Sequence, residues 1–162
     1  MKLPLALASL LVVLVAAGCG QKESTSASPA ASTPALSDTA SVEVTAGDNM
    51  KFNLTEIAVP ANKDFKITLV NVGTQPKEVM GHNLVVLKAG TDAAAFATAA
   101  MAAKDTEYIP AALKDQVVAH TPLLGPRKSA DITVNLPPGE YVYLCTFPAH
   151  YQVGMHGKLI VK

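Results

Sequence analysis

The fourteen residues 143–156, YLCTFPAHYQVGMH, constrain this chain more than any other stretch. They set a cysteine, a histidine and a methionine five residues apart, at Cys145, His150 and Met155. The run EYVYLC, ending at Cys145, reads as a strand, and GKLIVK after Met155 reads as a short closing strand. A loop containing Pro148 joins them. The chain must therefore fold so that a thiolate, an imidazole and a thioether converge from one strand, one loop and the next strand.

Such a donor set is soft, and soft sulfur ligands beside imidazole select copper among the common biological metals. The trigonal copper arrangement with two histidines, one cysteine and a long axial methionine needs a second imidazole. Only four histidines exist, so that imidazole comes from His82, His120 or His156, and His82 in MGHNLVVL is the best placed. His156 follows Met155 directly; if Met155 faces a site from an extended loop, His156 faces away. The less favoured reading has His156 replacing Met155 as axial ligand. Structural zinc rarely takes methionine as its fourth ligand.

From residue 40 onward the chain reads mostly as strands. SVEVTA alternates, and FKITLVN puts Phe65, Ile67 and Leu69 on one face. ADITVNL repeats the pattern at Ile132, Val134 and Leu136, and HNLVVL is a short apolar strand. In MKFNLTEIAV, Phe52 and Leu54 share one parity and Ile57 and Val59 the other, which predicts a bulge or bend. Gly, Pro and Asn punctuate the gaps. Seven to eight short strands of this kind predict an all-β Greek-key sandwich. TDAAAFATAAMAAKD, residues 91–105, predicts one inserted helix, capped by Thr91 or Asp92, with Phe96 and Met101 as core contacts.

VMGHN at 79–83, VVAHTPLLGP at 117–126 and CTFPAH at 145–150 together resemble the small blue-copper proteins, the cupredoxins, and among them the azurins and auracyanins. The resemblance covers roughly residues 40–162. Two departures stand out: Ala149 where azurin-like chains usually carry glycine, and a His150-to-Met155 spacing one residue longer than in typical azurins, as in the auracyanin-like pattern. The resemblance implies one type 1 copper ion held by His82, Cys145, His150 and Met155, with the carbonyl of Gly81 as a weak contact opposite the methionine. It places His120 outside the copper shell. Asn83 is expected to hydrogen-bond across the site and pin the Cys145 loop, and Phe147 to fix the loop that presents His150; such outer bonds orient ligands and tune the metal. Val79, Met80, Phe147, Pro148 and Ala149 are expected to form an apolar docking patch around His150. The implied function is one-electron transfer cycling Cu(II) and Cu(I), without catalysis, because protein donors fill the site. The implied partners are redox proteins such as c-type cytochromes or a membrane oxidoreductase, met by a monomeric domain.

The N-terminus adds a location. Lys2 and the apolar run Leu3–Ala17 form a targeting signal too short to be a comfortable membrane span. It ends in VAAGC, which resembles a bacterial lipoprotein cleavage site, so residues 1–18 are expected to be removed and Cys19 to carry lipid. Residues 19–39 are then the lipidated cysteine and a Ser/Ala/Thr/Pro-rich tether of low apolar content, whose flexible part, Gly20–Asp38, spans roughly 22–26 Å. The domain is expected in the cell envelope, periplasmic or extracytoplasmic, touching the membrane only through that anchor. With Cys19 lipidated, Cys145 has no disulfide partner, and a lone thiol outside the cytoplasm is a liability that metal ligation removes.

Several classes drop out. The charge is zero, with 13 basic against 13 acidic residues, and no basic patch suits nucleic acid. A multicopper oxidase needs more imidazoles than the four present, and a dinuclear copper centre needs a second cysteine at the site. A Cys–His hydrolase lacks an evident oxyanion-hole loop. A copper carrier or scavenger using the same ligands is the alternative that stays.

Overall fold

The structure is a computed structural model in which residues 41–162 are described. The signal, Cys19 and the tether lie outside the described residues. Among these described residues eight strands form two sheets. The smaller sheet has the order β1 (Ser41–Ala46), β3 (Phe65–Asn71), β6 (Ser129–Val134). The larger has the order β2 (Glu56–Val59), β8 (His156–Val161), β7 (Gly139–Leu144), β4 (Val85–Leu87), β5 (Val117–His120). β1 and β3 run parallel because β2, between them in sequence, crosses to the other sheet. β2 and β8 also pair in parallel, and the remaining pairs are antiparallel.

The alternating segments behave as period-2 strands with one face in the core. Phe65, Ile67 and Leu69 of β3, Val44 of β1, Ile132 and Val134 of β6, and Leu159 and Val161 of β8 meet between the sheets. Each such side chain contributes about 1.5–3 kcal/mol of burial. Gly157 of β8 lies directly opposite Tyr143 of β7, whose ring occupies the space a side chain would need. The Tyr143 hydroxyl donates to the Leu54 carbonyl at 2.7 Å, tying the larger sheet to the crossing segment.

β4 is apolar at every position because both its faces are covered. Val86 faces the inter-sheet core, while Val85 and Leu87 pack under helix α2 (Ala93–Ala100) with Ala93, Phe96 and Ala97. A shorter helix, α1 (Lys77–Met80), leads to Gly81 and His82.

Two expectations are corrected, and a third is resolved. The inserted helix does not run over 91–105: it stops at Ala100, Asp92 caps it, and two 3-10 turns follow at Lys104–Thr106 and Ala111–Gln116. Its apolar contacts, Ala93, Phe96, Ala97 and Ala100, end there, and a short helix persists only as far as packing supports it. Met101 is consequently 42% exposed and is not a core contact. Of the bulge or bend expected between Phe52 and Ile57, the structure has the bend, at Asn53 and Thr55. Phe52 bridges to Ala46 in the smaller sheet and Ile57 belongs to β2 in the larger, so the change marks a crossing between sheets.

Candidate metal centre

The site lies at one end of the sandwich, where β7 ends and β8 begins. Cys145 follows the last residue of β7, Met155 precedes the first of β8, and His150 sits in the loop between. The loop is closed by its own main chain: Cys145 N donates to the Met155 carbonyl at 3.1 Å, and Met155 N to the His150 carbonyl at 2.9 Å. His82 arrives from α1 and is held by a bridge to Leu124, with His82 N donating to the Leu124 carbonyl at 3.1 Å and Leu124 N to the His82 carbonyl at 2.7 Å.

These contacts bring His82, Cys145 and His150 together, with one donor atom of each within 4.8 Å of the others. Cys145 Sγ lies 4.0 Å from His82 Nδ1 and 3.4 Å from His150 Nδ1. A divalent ion bound in a trigonal plane, with bonds of about 2.0 Å to nitrogen and 2.3 Å to sulfur, would set nitrogen and sulfur roughly 3.7 Å apart. The observed separations bracket that value. Met155 is fully buried in the same core as Cys145, and His150 retains 2% exposure against none for His82.

Burial sets the electrostatics. It pushes the Cys145 thiol up to about 12, although the backbone N–H groups of Asn83 and Phe147 work the other way. Burial, then repulsion from His82, lowers His150 to about 4. Burial lowers His82 too, opposed by the Gly47 backbone and the charge of Asp48. The Nε2 of His82 is buried without a hydrogen bond of normal geometry. The pocket therefore presents two neutral imidazoles and a thiol that ionises only beside a positive charge. That chemistry fits a thiophilic cation, and copper fits it best.

The surroundings hold these groups still. Asn83 is fully buried; its Oδ1 accepts from Thr146 N at 2.9 Å and its Nδ2 donates to Thr146 Oγ1 at 2.8 Å. It thereby grips the residue after Cys145. The Phe147 ring lies 4.7 Å from the His150 ring, and the two imidazoles are 5.0 Å apart. A Cβ on Gly81 would come within 2.6 Å of the Lys77 carbonyl and 2.9 Å of Leu123 Cγ, so only glycine lets the chain turn from α1 into His82. His120 and His156 stand apart. His120 is exposed, its Nδ1 3.0 Å from the Thr121 carbonyl, and His156 is exposed against the Tyr151 ring at 4.7 Å.

Sequence reasoning passed over Thr146 and Glu107. Thr146 had a signal, since it follows Cys145 directly. Glu107, whose backbone carbonyl accepts from Asn83 Nδ2 at 3.2 Å, had none.

A family model described as copper binding proteins, plastocyanin/azurin family, matches residues 38–162. The chain is 45% identical over 120 residues to the outer membrane protein H.8 of Neisseria meningitidis serogroup B, covering 72% of this chain and 64% of that protein. It thus spans less than two thirds of that relative. To the azurin of Pseudomonas chlororaphis it is 37% identical over 127 residues, covering 75% of this chain and 97% of that protein. The crystal structure of reduced auracyanin from Roseiflexus castenholzii superimposes with a TM-score of 0.69 at 35% identity, covering 76% of this chain and 98% of that one. Matched along nearly the whole described fold, this chain belongs to the plastocyanin/azurin family of copper-binding proteins.

Proposed function

We propose that this chain is a single-electron carrier of the cell envelope, with its copper held by His82, Cys145, His150 and Met155. The observation that carries the reading is the buried convergence of two Nδ1 atoms and one Sγ beside a buried methionine. Copper supplies a one-electron couple between Cu(II) and Cu(I). The chain's own part is to keep the donors where both oxidation states accept them. The main-chain bonds among Cys145, His150 and Met155 and the Asn83–Thr146 pair resist rearrangement, and the surrounding apolar core excludes water. Donors drawn wholly from the protein leave no position for a substrate, which favours a carrier over an enzyme. The carbonyl of Gly81, next to His82 in the chain, would complete the set as a weak contact.

His150 keeps the little exposure the two imidazoles have, so we read it as the electron's exit. Val79, Met80, Phe147, Pro148 and Ala149 form the apolar docking patch; Val79 and Ala149 are exposed and the other three half-buried. An uncharged rim suits a brief encounter with a cytochrome or a membrane oxidoreductase. Cys19 carries the lipid and residues 19–39 the tether. The name of the Neisseria relative, an outer membrane protein, supports an envelope location.

The deciding experiment is the visible absorption and EPR spectrum of the protein with one equivalent of Cu(II). An intense red-region thiolate-to-copper band with narrow copper hyperfine splitting is expected. A pale protein with an ordinary tetragonal spectrum would overturn this ligand set and favour a copper carrier.

A further inference from the structure

A segment that contacts the supports of the metal donors from outside their own loop carries no sequence motif. Glu107 and Tyr108 are consecutive non-glycine residues in the left-handed region, at φ 52° and 64°. Left-handed backbone is strained for such residues, so their surroundings must hold them there.

Those surroundings are the copper site's supports. The Glu107 carboxylate accepts from Lys77 Nζ at 2.7 Å and from Leu123 N at 3.0 Å, and its backbone carbonyl accepts from Asn83 Nδ2 at 3.2 Å. Lys77 opens α1, which ends at Gly81. Leu123 packs against Gly81, and Leu124 is doubly hydrogen-bonded to His82. One residue thus fastens the three segments that place His82. Tyr108 does the same on the other side. It is buried with Ala100 and Leu123, and its ring meets Phe147 edge-on at 5.2 Å, on the ring that backs His150.

The exposed Lys77–Glu107 pair does not explain this corner by its strength. Its side chains are 40% and 44% exposed, and ion pairs so placed add little stability. What it and the charge-assisted bond to Leu123 N supply is a fixed position.

We propose that the Glu107–Tyr108 corner is a positioning element for the metal centre, Glu107 setting the His82 imidazole and Tyr108 the His150 imidazole. The proposal rests on the copper reading only where a copper signal is measured.

The test uses four variants. E107G removes the carboxylate while easing the left-handed backbone, and E107Q keeps an acceptor oxygen. Y108L removes the ring edge, and Y108F keeps it. In metal-free protein, amide hydrogen exchange at Leu123, Leu124 and His82 is expected to quicken roughly tenfold in E107G, as for one lost charge-assisted hydrogen bond, with E107Q near wild type. In copper-loaded protein, E107G and Y108L are expected to change the EPR hyperfine pattern and the reduction potential, with Y108F restoring both. Wild-type exchange at those three amides together with an unchanged spectrum and potential would overturn the proposal. So would uniformly faster exchange over all strands with an unchanged spectrum, since that is lost global stability alone. If wild type itself shows no thiolate–copper band, the copper reading fails while the exchange measurement still decides the corner's role.

Discussion

Ala149 holds its backbone at φ 69°, where glycine is at ease and alanine is not. The strain, about 1–2 kcal/mol, sits one residue before His150. Glycine would release it but would also free the unfolded chain, at about 0.5–1 kcal/mol. A149G is therefore expected to stabilise the metal-free protein by less than about 1 kcal/mol. A149V, β-branched at a positive φ, is expected to lose about 1–3 kcal/mol. Urea unfolding of both checks this, and a destabilised A149G would mean that the exposed methyl packs usefully.

The donors predict a pH response. A group held protonated until the metal arrives must release its proton on binding. With the Cys145 thiol pushed up to about 12 and both imidazoles lowered, copper binding near pH 7 is expected to release about one proton. Calorimetric titration in buffers of different ionisation heat counts it. Metal-free stability follows the same groups. His150 has its ordinary value of 6.5 when unfolded and about 4 when folded. As pH falls through that interval the unfolded chain binds more protons, so stability declines. The thiol rises from 9.0 to about 12 on folding, so above pH 9 the unfolded chain holds fewer protons and stability declines again. Unfolding midpoints from pH 4 to 10 are expected to peak between about 6.5 and 9.

At the scale of elements, α2 shows how little holds a short helix. Asp92 Oδ1 accepts from Ala94 N and Ala95 N, both at 3.0 Å. D92A is expected to cost about 1 kcal/mol in urea unfolding, with an unchanged copper spectrum, because α2 covers the outer face of β4 and supplies no donor. The same helix marks where sequence reading stops. The alanines of 91–105 carry helix propensity throughout, but the end at Ala100 is set by what lies beneath it. The strands were legible because one covered face imposes a period of two, as at Phe65, Ile67 and Leu69. Cys145, His150 and Met155 were legible because one short stretch holds them. His82 needed elimination and a resemblance, since nothing in local spacing joins residues 82 and 145. The Glu107–Tyr108 corner left no mark, because left-handed backbone in ordinary residues is imposed by tertiary contacts.

At the scale of the whole molecule, two predictions concern where the domain sits and whom it meets. Under the proposed anchoring, C19S is expected to move the protein from the membrane fraction to the soluble fraction, with its copper spectrum intact. Fractionation and immunoblotting check this. A charge in the proposed docking patch, as in M80E, is expected to slow electron exchange with a redox protein about tenfold while barely moving the visible spectrum. A wild-type exchange rate would place the port elsewhere.

The position of β8 bears on timing. Strand β8 lies inside the larger sheet, joining β2 to β7, and Met155 stands at its threshold. Until residues 155–161 have emerged in synthesis, the chain has neither the strand that unites that sheet nor the loop bonds that Met155 closes. The metal pocket therefore comes into being only once β8 has docked between β2 and β7, so no chain that stops short of it can capture copper in its final geometry.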